Sequence, residues 1–224
     1  MALSRDTSVF TTNTTNQMAG GTTTLSMTLS GTADALYVMV SFWNNGGTAA
    51  GCSGVTWNGV AMTFVTGSGQ NSTSDKFRTE AWRIVAPATG THDIVATVGG
   101  QCDKLGFAAT SFIGADQTTP TDVVGTTSGT AGSVTTNITT TVANTIMLDS
   151  VSHLSANTAS ASSNTQIYND GAVGMGAAAQ YGTAASAGTN SMSWTYPPGD
   201  EWAYTLLAVR PAGGAAAVSA RLWD

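Results

Sequence analysis

Apolar and β-branched residues recur along this chain in short runs at the two-residue period of strands, and no stretch carries a sustained 3.6-residue period. Val55 to Val65 (VTWNGVAMTFV) reads as a hairpin. Val55–Trp57 and Val60–Val65 flank Asn58-Gly59, the dipeptide that best accepts the two positive φ angles of a type I′ turn. Thr79–Val85 and Thr91–Val98 are two further β-branched runs. They are joined by Ala86-Pro87-Ala88-Thr89-Gly90, where proline ends the ladder and glycine reverses the chain. Together these segments predict an antiparallel meander.

Leu25–Leu29 alternates as Leu-Ser-Met-Thr-Leu, the pattern of a half-buried strand. Ala35–Phe42 (ALYVMVSF) reads as a more deeply buried strand, and Thr145–Val151 (TIMLDSV) is apolar enough to be central. Lys104–Ile113, Val134–Val142 and Gln166–Tyr168 add further strands, and Ser191–Tyr196 with Trp202–Val209 forms a last hairpin around Pro197-Pro198-Gly199-Asp200. Ala172–Tyr181 lacks bulk, which permits close packing between sheets or against another subunit. Thr66–Arg78 reads as an exposed, mobile polar connection. Gly114–Gly132 reads as a Thr/Gly/Pro-rich crossover of the Greek-key kind. No repeat occurs at fixed spacing, although the second half echoes the first.

The pattern predicts an all-β fold: a two-sheet antiparallel β-sandwich, jelly-roll-like, with about a dozen short strands. The sandwich spans residues 22–211. Residues 1–21 form an N-terminal arm rich in Thr and Asn, either frayed or ordered against a partner through Val9, Phe10 and Met18. Residues 212–224 carry a small-residue spacer, Gly213 to Ala217, and an apolar-basic tip, Val218 to Asp224. The tip reads as a docking peptide that buries Leu222 and Trp223 in a groove on a neighbouring subunit, with an unanchored tail as the alternative.

Composition narrows the function classes. With 42% hydrophobic residues in 224, the body can bury a core and does not resemble a disordered chain. Charged residues make up only 9%, which predicts a surface partly covered by neighbours. The net charge is −6, and seven Lys and Arg are scattered without a basic stripe, so binding to a phosphate backbone is not expected. No apolar run has the length of a membrane-spanning helix. The first residues lack the basic region and apolar core of a signal peptide, so use without classical secretion is expected. The Asn-x-Ser/Thr triplets at Asn13, Asn71 and Asn137 match chance in so Thr-rich a sequence.

Candidate chemistry is sparse. Counting strand directions places Cys52 and Cys102 in loops at one end of the sandwich, as a disulfide or as two free thiols. Neither has the Cys or His neighbours of a zinc site. His92 and His153 lie outside any metal-binding spacing and read as loop and edge-strand residues. Gly51-Cys52-Ser53-Gly54 only superficially resembles a nucleophile elbow. Glu80 and Glu201 are the only glutamates a glycosidase could pair; Glu80 is expected to face solvent opposite Arg83 or Lys104. Asp116, Asp122, Asp149 and Asp170 lack calcium-loop spacing. Neither a cofactor nor a metal is expected. Trp82 and Trp202 read as core, whereas Trp43 and Trp57 adjoin loops: core or interface packing is the first reading for them, and stacking on a glycan or a partner chain is the alternative.

Three stretches carry a resemblance: the WNGVAMT hairpin at Trp57 to Thr63, the W-x-I-x-x-P-x-x-G-x-H pair at Trp82 to His92, and the G-x-D-Q-x-x-P turn at Gly114 to Pro120. With the final EWAYTLLAVRP strand at Glu201 to Pro211, they resemble a β-sandwich domain that recurs in bacteriophage structural proteins and bacterial surface proteins. The resemblance covers roughly residues 25–211 and implies a scaffold with a structural or adhesive role, transferring no catalytic residue. The expectation is a non-enzymatic virion structural protein assembled in the host cytoplasm. It would be a capsid decoration (cement) or head-fibre subunit that oligomerises and binds other virion proteins such as a capsid shell, without contacting nucleic acid or membrane. The alternatives are a receptor- or glycan-binding module of a tail fibre or extracellular surface adhesin, and a self-assembling filament subunit whose N-terminal arm completes a neighbour's sheet.

Overall fold

The antiparallel sandwich that the alternation predicts is present twice. A computed structural model describes residues 1–13, 18–154, 159–161, 164–171, 175–196 and 199–213, and among these there are strands and turns but no helix. The first half contains β1 (Ser4–Asn13), β2 (Thr22–Leu29), β3 (Ala35–Trp43), β4 (Cys52–Trp57), β5 (Val60–Ala61), β6 (Thr63–Phe64), β7 (Gln70–Asn71), β8 (Phe77–Val85), β9 (Gly90–Val98) and β10 (Lys104–Ile113). The second contains β11 (Thr121–Gly129), β12 (Ser133–Thr140), β13 (Thr145–His153), β14 (Ser160–Ala161), β15 (Thr165–Asp170), β16 (Gly176–Ala184), β17 (Gly188–Thr195) and β18 (Trp202–Val209).

In the first half, a large sheet ordered β1-β10-β3-β8-β6 covers a smaller one ordered β2-β9-β4-β5, with β7 also paired to β8. In the second, β11-β18-β13-β16-β15 covers β12-β17-β14. The connectivity corresponds: β1 and β11 are edge strands, β3 and β13 lie inside, and β8-β9-β10 and β16-β17-β18 each pass from large sheet to small sheet and back. The two large sheets pack against each other through Tyr37, Met39 and Phe112 on one side and Ile146, Leu148 and Leu207 on the other. Four layers result, where the sequence predicted two sheets.

Burial explains both the prediction and its shortfall. Strands of the outer sheets have one wet face, so β2 and β12 alternate strictly between apolar-in and polar-out. Strands of the inner sheets are covered on both faces, so β3, β13 and β18 are buried almost throughout and read as continuous runs. At Asn58-Gly59 the expected turn is present, with φ angles of 50° and 74°.

The expected meander and last hairpin are not paired as such, because β8 and β9, and likewise β17 and β18, cross from large sheet to small or back. Three further segments differ from expectation. Residues 4–13 do not form a free arm: β1 pairs with β10 from Ser4↔Ile113 onward, and its hydroxyls bond inward, with Ser8 and Thr110 3.0 Å apart. The crossover at Gly114–Gly132 contains β11, paired with β18 over its whole length. Gly125 interrupts its apolar pattern because a Cβ there would lie 2.7 Å from Ile138 Cγ2, so β12 crosses where only glycine fits. The connection Thr66–Arg78 is exposed at Thr66, Gly67 and Thr73 to Asp75, as expected, but it is anchored between the halves at Ser68, which is fully buried and whose carbonyl accepts from Thr205 Oγ1 at 2.7 Å.

One part of the seam between the halves is lined by small residues, beside Phe77, Tyr168 and Met175. Ala108, Ala177, Ala179 and Ala203 let the sheets approach, so the Ala-rich segment serves packing between sheets. Hydroxyl pairs cross it: Ser41 to Ser150 at 2.9 Å and Thr79 to Thr205 at 2.8 Å, both buried, while Ser152 Oγ donates to the Phe42 carbonyl at 3.0 Å. Each of these polar groups therefore has a partner from the opposite half, which removes the desolvation cost of burying it alone.

Candidate functional site

The stacking candidates are not open surfaces. Trp57 is fully buried; its indole N–H donates to the Ala88 carbonyl at 3.0 Å and His92 meets it edge-on at 5.4 Å. The turn beside it is exposed, but the ring points into the core, so a glycan cannot stack on it. Trp43 is partly buried at the end of β3, and Lys104 Nζ lies 5.6 Å from its ring centroid. Burial lowers the pKa of Lys104, partly offset by Asp170.

Phe10 is 52% exposed, and one face of its ring stacks on Tyr168 at 5.3 Å. It therefore fastens β1 to β15 across the two halves and leaves its other face outward. Leu222 and Trp223 lie outside the described residues.

Cys52 and Cys102 are both thiols rather than a disulfide, Cys102 buried in the first core and Cys52 packed against it. The pKa of Cys52 is raised well above its usual value by burial and then by the Glu80 carboxylate, which keeps the thiol protonated and a poor nucleophile. Glu80 does not face solvent. It is buried, accepting from the Cys52 backbone N–H at 2.8 Å and Trp82 Nε1 at 2.9 Å and pairing with Arg78 Nε at 3.0 Å. The other glutamate, Glu201, is engaged by the N–H and hydroxyl of Ser74, so it ties the halves together.

His153 ends the central strand β13 rather than an edge strand. It is fully buried, stacked on Tyr196 at 5.3 Å, with Nδ1 3.7 Å from Asp200 Oδ2. Burial lowers its pKa, partly offset by Asp200, so the neutral imidazole is favoured at neutral pH.

The polar centre that sequence patterning does not single out is Asp149, wholly buried in the second core. It accepts from the backbone N–H of Gln180 at 3.1 Å, Gln180 Nε2 at 2.8 Å, Trp194 Nε1 at 3.1 Å and Tyr204 OH at 2.7 Å. Burial nevertheless outweighs these donors and pushes its pKa up to about 7. The signal in the sequence is a lone acid inside the continuous run TIMLDSV, with Trp and Tyr donors on strands expected to share its core.

Two surface features remain. A groove of about 630 Å³ is built from the two ends of the described chain, with Leu3, Pro211 and Gly213 beside Val142, Ile146 and Ala185, and with Asn144, Thr145 and Thr183 adding polar groups. A second, hydroxyl-lined groove follows the seam around Arg83. Among the described residues no cluster of His, Cys, Asp or Glu has the makings of a metal site. No protein-family model and no curated protein sequence matches the chain.

Proposed function

We propose that the chain is a non-enzymatic structural protein of a virion, a capsid decoration (cement) or head-fibre subunit that assembles with copies of itself and with a shell. The observation that carries this reading is the groove built from both ends of the described chain. Segment 214–224 follows Gly213, which lines the groove, and carries Leu222 and Trp223. The groove walls mix apolar side chains (Leu3, Val142, Ile146, Pro211) with Asn144, Thr145 and Thr183, and an aromatic anchor with an aliphatic neighbour is the kind of pair that dominates interface energy.

The occupant is the tip of a second copy. Nine residues of extended chain reach about 30 Å, so two copies with their grooves facing each other can exchange tips about a two-fold axis. Docking then falls to the C-terminal segment, since β1 is already engaged by its own sheet. The acidic and nucleophilic candidates support a structural role: Glu80, Asp149 and His153 are enclosed in cores, where they hold strands together.

A peptide of residues 214–224, titrated into protein ending at Gly213, tests the docking. Saturable binding is expected, and it should be lost when the peptide carries Trp223→Ala or the protein carries Ala185→Glu at the exposed groove wall. Absence of binding by the unaltered pair contradicts the reading.

A further inference from the structure

The seam groove contains a cation without a carboxylate. Arg83, on β8, is half-buried, and none of the ion pairs among the described residues involves it. Among the described residues, the one carboxylate lining the same groove, that of Asp122, lies 3.6 Å from Arg210 Nη1 instead. Asp122, close by in the groove, is further held by the backbone N–H of Thr141 at 2.6 Å.

Arg83 is nonetheless held in place. Its Nη1 donates to Thr121 Oγ1 at 2.7 Å, and that hydroxyl lies 2.8 Å from the phenol of Tyr37, which is fully buried and meets Phe112 edge-on. The guanidinium donates to Thr121 Oγ1 and to the Tyr37 phenol oxygen, so residues of both halves position it, and the rest of its five-donor fork is left for a ligand.

The space around it has two lobes. One, of about 450 Å³, runs between β6 and the start of β11; the other, of about 190 Å³, runs toward the turn before β11. Thr63 and Arg83 line both lobes, so the guanidinium stands at their junction. Thr66, Thr118 and Gln117 add donors and acceptors along the walls, and Phe64, itself braced edge-on against Trp82, adds an apolar surface.

We propose that this groove binds a carboxylate-bearing saccharide. A guanidinium fork matches a carboxylate in bidentate fashion. Fixed hydroxyl and carboxamide groups suit a ligand whose own hydroxyls donate and accept, and an apolar wall suits the C–H face of a sugar ring. Two lobes on either side of the cation fit a saccharide of more than one ring, its acid group at the junction. Because the chain is acidic as a whole, with net charge −6, long-range attraction does not assist an anion, and recognition rests on this one short-range contact. The site is separate from the terminal groove and adds attachment to a surface to a structural role.

The test is a titration of the full chain, followed by amide chemical shifts, with trigalacturonic acid and 3′-sialyllactose as probes for internal and terminal acid sugars. Their methyl esters are the neutral controls. At least one acid probe should saturate at or below about 10 mM, with its ester at least about tenfold weaker. Arg83→Gln should weaken the acid probe at least about tenfold and Arg83→Lys less, since an ammonium keeps the charge but loses the fork. Thr66→Glu, at an exposed groove position, should weaken binding by like-charge repulsion and provides a second variant should Arg83→Gln perturb the fold. The proposal is overturned if neither acid probe binds saturably, if the esters bind as well, or if folded Arg83→Gln binds unchanged.

Discussion

At Asp149 burial and hydrogen bonding oppose each other, and the balance makes a prediction about pH. Its pKa rises from an ordinary 3.8 to about 7 although four donors face the carboxyl. Well below the ordinary value the group is protonated folded and unfolded alike. As pH rises, the unfolded carboxyl ionises first while the folded one keeps its proton, so this group's contribution to stability falls between about pH 4 and pH 7 and then levels. Each tenfold difference in proton affinity between the two states is worth about 1.4 kcal/mol, so the loss is a few kcal/mol. Asp149→Asn removes the titration, and Gln180, whose Oε1 has no partner, can turn its amide to meet the new donor. Urea unfolding at pH 4.5 and pH 8 should therefore show a larger difference for the unaltered protein than for Asp149→Asn. Equal differences would mean that Asp149 does not hold its proton in the fold.

At the scale of elements, the question is which strands the pattern could reveal. The outer strands were legible because one wet face enforces alternation, as in Val134, Thr136 and Ile138 buried among exposed neighbours on β12. The central strands were legible as apolar runs. The unbroken burial of ALYVMVSF and YTLLAV also means that both faces are covered, which a two-sheet sandwich alone cannot provide. The strands β1 and β11 were missed because their sides are half-covered and their polar groups bond locally, which leaves no period to read. Trp57 reads either as core or as a stacking ring, because an exposed turn says nothing about which way the preceding side chain points; the structure places it in the core. Arg83 carries no motif; its meaning comes from Thr121 and Tyr37, brought from distant parts of the chain. The pairing of β1 can be checked by hydrogen exchange: amides of Ser8 to Thr12 that face β10 should be protected in protein shown to be monomeric. Exchange at the rate of unstructured chain would return residues 4–13 to the status of a free arm.

At the scale of the whole molecule, two sandwiches of corresponding topology share a buried seam of large apolar side chains, alanines and paired hydroxyls. The duplication leaves no fixed spacing in the sequence because corresponding strands do not keep a constant offset: Ser4 and Thr121 open one pair, Lys104 and Trp202 another. Loops of different length separate them. A body welded in this way resists bending between its halves and suits a spacer or a surface ornament. In the proposed assembly the groove at the ends of the described chain takes the tip, which makes mass depend on the tip. The decisive measurement is molar mass by light scattering across a range of concentrations, for the full chain and for protein ending at Gly213. The account predicts a dimer or larger assembly for the full chain and a monomer for the shortened one, with Ala185→Glu behaving like the shortened chain. A full-length protein that stays monomeric throughout would contradict assembly through the C-terminal tip.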